Sequence, residues 1–461
     1  MEDIILNRAR ILSNDFNGRL EPLLNSAEQA ILSVKPEVLL RNSMVLEDRD
    51  TLKVMGRCID LYRYPKIFVG ISGKASGPAA EVVERILTPR GSEKSLINEG
   101  VAIVPPGVKQ KTSTRVVEVI ESDHPTPTER SVYAGKKFMG LASRADEKTL
   151  FITIISGGAS SLNTVPHPDV PLSDSIRLNN IMLGAGAAIN EINAVRKHIS
   201  VISGGQLAGY TKEGALVIGL IVSDVVGDEI GSIGSGLTAP DKSTFKDVLR
   251  IFRKYNITAD VPELVLKHIQ RGIEGKVKET LKPDDPLFNR VANFVIGNNQ
   301  LACHAAIASI RAAEPDRRVY YLGSDLVGDA GVEGTAFARM IVRFQQMGKK
   351  IAFVGGGERT VILGKNPGPG GRNQQETLYA MKVIGGNRYV SGVYIGSDGI
   401  DGKSDAAGAA FNATIYEKIR EGIDVHIAQN SSNTLLKKAD AAIVTGPSGT
   451  NVYDLKMIMI N

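Results

Sequence analysis

Ile67-Phe-Val-Gly-Ile71, followed by the turn Ser72-Gly-Lys-Ala-Ser-Gly77, is the stretch on which the fold turns. An unbroken apolar run of this length predicts a strand buried on both faces. Pro78 then stands in the first turn of a predicted helix that carries Ala79-Ala-Glu-Val-Val-Glu-Arg-Ile-Leu87. The pattern recurs outward along the chain. Val116–Ile120 reads as a strand and about 128–142 as a helix, with further strands at Thr149–Ile155 and Leu216–Val222. Strands alternating with helices predict a mostly parallel, doubly wound sheet.

Upstream, Ile4, Ile5, Ala9, Ile11 and Leu12 recur near helical period and predict an amphipathic N-terminal helix. Downstream, the pattern breaks into Gly, Ser, Pro and Thr over about 231–245, which suggests a boundary or hinge. Alternation then resumes, with strands at Val319–Leu322, Ile351–Val354, Val390–Ile395 and Ala441–Val444 and a helix at Gly331–Met347. The expectation is two three-layer α/β domains, 1–240 and 241–461, with an active-site cleft between them.

The composition narrows the function. In 461 residues, 43% are apolar and 23% charged, which is ordinary for a folded protein and unlike disorder or coiled coil. Lys and Arg exceed Asp and Glu by five, and no run of five like charges gives nucleic acid a footprint. Two cysteines cannot build a disulfide framework, and six histidines without clustered cysteines leave no credible zinc site in the sequence. Acidic residues at the start and short aliphatic runs argue against a signal peptide or a membrane span, so the chain reads as soluble and cytoplasmic. The sequence leaves oligomeric state open, a homodimer included.

In doubly wound sheets, ligands bind beyond the carboxyl ends of the strands. Seven predicted strand ends lead into small and polar residues, including Ser156-Gly-Gly-Ala-Ser-Ser161, Ser223-Asp-Val-Val-Gly-Asp228, Gly355-Gly-Gly-Glu358 and Gly396-Ser-Asp-Gly-Ile-Asp-Gly402. Glycine-rich turns bare backbone N–H groups to anions. Lys74 and Arg372, the latter in Gly368-Pro-Gly-Gly-Arg-Asn-Gln374, are the candidate cations for a transferring phosphoryl. Gly355, Gly356, Gly357, Glu358, Gly371, Asn373 and Gln374 are candidate nucleotide contacts. Asp224 and Asp228, and in the second half Asp398, Asp401 and Asp405, flank turns at strand ends and are candidates for holding Mg²⁺ or accepting a proton, with Asp398 and Asp401 the metal candidates; N-caps and Asx-turns are the structural alternatives. Asn193 and Arg196, with Lys197, share a predicted helix face suited to a small carboxylate; a solvated face is the plainer reading. Cys303-His304 reads as structural.

Familiar motifs fail. At Gly73-Lys74 the P-loop positions are filled by Phe68 and Ala75, and at Gly402-Lys403-Ser404 the first position is Ser397. The one formal dinucleotide fingerprint, Gly234-Ser-Gly-Leu-Thr-Ala239, follows no strand and runs into Pro240.

At its polar turns the chain resembles the glycerate 2-kinase family, whose C-terminal part is the MOFRL domain. The resemblance spans about 60–461, with the MOFRL-like part at about 345–461. It rests on Ser72-Gly-Lys-Ala75, His124-Pro-Thr-Pro127, Glu191-Ile-Asn-Ala-Val-Arg-Lys-His198, Ser223–Asp228, Gly370-Gly-Arg-Asn-Gln374, Asp398-Gly-Ile-Asp-Gly402, Asp405-Ala-Ala-Gly408 and Thr445-Gly-Pro-Ser-Gly-Thr-Asn451. It implies a Rossmann-like first domain and ATP- and Mg²⁺-dependent phosphorylation of D-glycerate to 2-phosphoglycerate. It assigns catalysis to Lys74 and Arg372 and places Asp224 or Asp228 in the site; Ser160, Ser161, His124, Asn193 and Arg196 are the candidate substrate contacts. Two departures stand out: the family's triple-glycine loop is Ser156-Gly-Gly-Ala-Ser160 here, and Asp123 precedes His124 where Gly is common. A hydroxypyruvate reductase-type oxidoreductase and a non-catalytic sugar-acid or nucleotide sensor are the alternatives.

Overall fold

A computed structural model describes residues 4–461. The chain forms two compact units. One is Leu39–Ile296; the other joins the residues up to Val38 to Gly297–Asn461. The division expected at 240/241 therefore falls elsewhere. The Gly- and Ser-rich stretch around 231–245 stays inside the first unit, where Ile233, Leu237, Ala239 and Phe245 are buried.

The 39–296 unit opens with a small antiparallel sheet of β1 (Met44–Leu46), β2 (Thr51–Val54) and β3 (Arg57–Asp60). Its main sheet holds β4 (Lys66–Ser72), β5 (Ile97–Val104), β6 (Val117–Glu121), β7 (Thr149–Ile155), β8 (Leu216–Val222) and β9 (Val291–Gly297) in the order β6-β5-β4-β7-β8-β9. The β6–β5, β5–β4, β4–β7 and β7–β8 pairs are parallel. All seven residues of β7 are buried, which explains its continuous apolar sequence. The order runs outward in both directions from β4 and β7, so the winding reverses between those two strands. Such a reversal parts the crossovers and leaves a crevice at the carboxyl edge. Beside this sheet, the helices Leu172–Gly184, Ile189–His198, Phe245–Lys254 and Glu263–Ile273 close around a second core that includes Leu178, Ile192, Phe252 and Ile269.

The other unit is mixed. Its strands β10 (Arg318–Tyr321), β11 (Ile351–Gly357), β12 (Val390–Gly396), β13 (Gly408–Phe411), β14 (Ala442–Ile443) and β15 (Asp454–Ile460) lie in the order β10-β11-β15-β12-β13-β14. Only β10 and β11 pair in parallel; β15 runs antiparallel between β11 and β12. The helix Leu20–Ser33 lies against the helix Asn299–Ala313, where Ser26 Oγ donates to Ser309 Oγ at 3.3 Å. The expected N-terminal helix is shorter, Arg8–Leu12, with Ile4 and Ile5 buried ahead of it. Among the described residues no helix is long and apolar enough to cross a membrane.

Candidate active site

The winding reversal of the 39–296 unit puts the turns after β4 and β7 side by side. Ser156 N–H donates to the Ser72 carbonyl at 3.0 Å, and Lys74 N–H donates to the Gly157 carbonyl at 2.8 Å. Ser156 Oγ accepts from Ala75 N–H at 3.2 Å, just before the helix Ser76–Ile86 begins. Gly73 has φ +133° and lies so close to Ser156 that a Cβ there would collide with it. Only glycine fits both the backbone and the space.

Three chemistry-bearing side chains gather on the second turn. A Cβ on Gly157 would strike the Asp224 carboxylate. A Cβ on Gly158 would sit 3.0 Å from the His124 ring and 3.3 Å from Lys74 Cγ. The structure thus brings Lys74, His124 and Asp224, from the ends of β4, β6 and β8, onto one glycine turn. Burial pushes the Asp224 carboxyl above the usual carboxylate range, while the Lys74 charge offsets part of that rise. Burial and the same lysine charge hold His124 below its ordinary value, so its ring is neutral near pH 7. Asp228 lies at the far end of the β8 turn with φ +54°, its N–H on the Val225 carbonyl at 3.0 Å.

The expected substrate contacts form a chain. Ser160 Oγ and Ser235 Oγ are 2.8 Å apart, and Ser235 Oγ donates to Asn193 Oδ1 at 3.4 Å. Arg196 reaches the same Asn193 Oδ1 at 3.5 Å and Asn179 Oδ1 at 3.2 Å. Ser161 instead turns back, donating to the Gly158 carbonyl at 3.0 Å. Lys197 leaves the shared face: it is buried with its Nζ on Asp241 Oδ1 at 3.3 Å. Ser235 was missed by sequence reasoning, because it lies in the stretch taken for a hinge.

The other unit builds a second centre around Arg372, the first residue of the helix Arg372–Ile384. Its Nε and NH2 donate to the two Asp454 oxygens at 2.6 and 3.0 Å, and NH1 pairs with Glu358 Oε1 at 2.9 Å. These carboxylates hold the guanidinium even further above its usual range. Asp454 went unpredicted for a topological reason. Candidate sites were sought after each strand, but Asp454 begins β15. The antiparallel register aligns it with Gly357 and Gly396, the last residues of β11 and β12.

Several expected ligand contacts are structural here. Asp401 is buried and caps the helix: Oδ1 accepts Asn373 N–H at 3.0 Å, and Oδ2 accepts Gln374 N–H and Nε2 at 2.9 Å each. Helix N-termini present donors that need such a partner. Both oxygens are committed, so Asp401 does not suit Mg²⁺, and the buried Asn373 and Gln374 side chains face it rather than a nucleotide. Burial and the Asp454 charge push its carboxyl up to about 6. Gly371 packs so closely on Asp401 that no side chain fits. The turn expected at Gly355–Gly357 is the end of β11, where a Cβ on Gly356 would collide with Asn299 and one on Gly357 with the Leu326 backbone. Asp398 is half-buried at the rim, its Oδ1 accepting Ile400 N–H at 3.1 Å. The Cβ position of Gly396 is 3.4 Å from both Asp398 Oδ1 and Asp454 Oδ1, so the two carboxylates flank one strand end. Cys303 is buried as expected, its thiol pushed up to about 12 by burial.

In each unit a cation and carboxylates gather at glycine-rich strand ends and turns, and this defines a class: proteins that handle phosphorylated small molecules. Comparison with known proteins narrows it. Residues 23–270 match the family model described as a domain of unknown function, DUF4147, and 351–454 match the MOFRL family. The chain is 35% identical over 442 residues to a glycerate 2-kinase of Pyrococcus horikoshii, covering 94% of this chain and 95% of that one. It is 34% identical over 345 residues to a D-glycerate 2-kinase of Thermotoga maritima, 73% of this chain and 79% of the relative. A crystal structure of glycerate kinase from Thermotoga maritima superposes with a TM-score of 0.79 at 28% identity, covering 98% of this chain and all of that one. The chain belongs to the glycerate 2-kinase family.

Proposed function

We propose that this chain transfers the γ-phosphoryl of ATP to the C2 hydroxyl of D-glycerate, giving 2-phosphoglycerate and ADP. The observation that carries the reading is the placement of Lys74, His124 and Asp224 on one glycine turn at the winding reversal. Phosphoryl transfer passes through a loose transition state, so catalysis is positioning and charge neutralisation. Lys74 and Arg372 supply positive charge to the equatorial phosphoryl oxygens as the bond to ADP breaks and the bond to the C2 oxygen forms. Asp224, whose raised carboxyl is poised as a base, takes the hydroxyl proton. Neutral His124 orients the hydroxyl, and Arg196 on its Asn193 relay receives the glycerate carboxylate. A divalent cation would be held by the Asp398 carboxylate rather than by Asp401, and there it would supply charge neutralisation for the phosphates. The hydroxypyruvate reductase alternative has only the formal fingerprint Gly234–Ala239, which runs into Pro240 and opens no helix.

The test is a ³¹P spectrum of the product formed from D-glycerate and ATP. Phosphate coupled to the C2 proton is the expected result. Glycerate-independent ADP release, or NADH consumption with hydroxypyruvate in the absence of ATP, would overturn the proposal.

A further inference from the structure

We propose that His167, Asp169 and His268 form a transition-metal site of the Zn²⁺ type that ties the 166–171 loop to the helix Glu263–Ile273. One candidate ligand atom from each residue lies within 4.8 Å of the other two. Asp169 Oδ2 is 3.6 Å from His167 Nδ1 and 3.8 Å from His268 Nδ1, and the two rings sit 4.3 Å apart. With zinc bonds of about 2.0–2.1 Å, tetrahedral ligands stand about 3.3 Å apart, so the two Asp169 distances are a few tenths of an ångström long.

The second observation is His268 itself. The residue is 1% exposed, and its Nε2 hydrogen bonds to the His198 carbonyl at 2.8 Å. That bond makes Nε2 the donor and leaves a lone pair on Nδ1. Buried Nδ1 has no hydrogen-bond partner and points at Asp169. A metal-ligating imidazole is oriented in this way, by donating its other nitrogen's hydrogen to a carbonyl. His167 Nδ1 holds its one lone pair on Asp169 N–H at 3.2 Å, and ligation through Nδ1 replaces that hydrogen bond. Burial holds both rings neutral, the form that ligates. Two imidazoles and a carboxylate suit Zn²⁺ rather than Mg²⁺ or Ca²⁺, and three protein ligands leave a fourth position for water. His167 and Asp169 are partly exposed, which gives the ion a way in. The competing group is Arg271, which pairs with Asp169; it is half-exposed and would turn to solvent as the ion binds. Through His268 the site reaches His198, the last residue of the helix that carries Asn193 and Arg196.

The test uses chelator-stripped, desalted full-length protein without ATP, titrated with Zn²⁺ against a chromophoric competitor and, separately, with Co²⁺. One equivalent of Zn²⁺ with a raised melting temperature, and tetrahedral d–d absorption with Co²⁺, is expected. His167→Ala and Asp169→Asn, which change partly exposed residues, should each weaken Zn²⁺ at least tenfold while keeping the fold. Arg271→Gln should tighten it several-fold, which a purely structural ion pair would not do. His426→Ala is the control and should bind as the parent does. Failure to retain Zn²⁺, or retention that is the same in His167→Ala and Asp169→Asn as in the parent, would overturn the proposal.

Discussion

Arg372 and Asp454 meet through two parallel hydrogen bonds, Nε to Oδ2 at 2.6 Å and NH2 to Oδ1 at 3.0 Å, with Asp454 fully buried. The pair fixes the plane of the guanidinium, because only a fork of two donors matches both carboxylate oxygens. Removing the arginine would strand a buried charge, so Arg372→Ala should lose about 3 kcal/mol of stability as well as activity. The cleaner substitutions are Arg372→Lys, which keeps the charge and loses the fork, and Asp454→Asn. Each should lower kcat about 10- to 100-fold, as expected for one charged hydrogen bond of about 1.5–3 kcal/mol. Steady-state kinetics beside thermal melts check this; parent-like turnover in Asp454→Asn would remove Asp454 from any positioning role.

Lys74 differs, since it shares its glycine turn with a half-buried histidine and with the Asp224 carboxylate, with which it interacts electrostatically. Lys74→Ala should cut kcat by about 10²–10³, the usual cost of losing one transition-state contact. Its melting temperature should stay within a few degrees of the parent.

Asp224 gives a pH signature. Its carboxyl titrates above the ordinary carboxylate range, so kcat/KM should fall on the acid side at a pH above about 4. Asp224→Asn should abolish that limb along with most of the rate. A limb that persists in the variant would assign the base to another residue.

Asp401 makes the opposite kind of claim, about stability. Its folded carboxyl titrates at about 6, against about 3.9 in the unfolded chain. Between those values the folded state binds more protons, so stability falls as pH rises. The group's contribution is whole below about pH 4 and is lost by about pH 6, an effect of up to about 3 kcal/mol. Asp401→Asn lacks this titration. Urea unfolding of both proteins from pH 4 to pH 7 should therefore show the parent losing ground to the variant as pH increases.

The parallel half of the fold was legible because its strands are buried on both faces and read as continuous apolar runs. Thr149–Ile155 and Leu216–Val222 coincide with β7 and β8. β5 was missed because Asn98, Glu99 and Gly100 interrupt its run, and β15 because Lys456 sits in its middle. That lysine is buried against Glu376 and lies over the Tyr394 ring, a pairing between β15, the helix Arg372–Ile384 and β12 that no local pattern encodes. Lys74 and Asp224 were readable as candidates from their strand ends, and Arg372 from its glycine-rich turn. Asn373, Gln374 and Asp401 were readable only as polar, because whether a polar side chain faces a ligand or a helix terminus depends on contacts made 27 and 28 residues away.

The helix Leu20–Ser33 finds its partner Asn299–Ala313 only after the whole intervening unit has been made. At about 5–20 residues per second of synthesis, that wait lasts roughly 15–50 s, during which Leu23, Leu24 and Ile31 remain uncovered on the ribosome. The inserted α/β unit is thus free to finish first, and nascent-chain chaperones have a defined apolar segment to shield until the discontinuous unit closes.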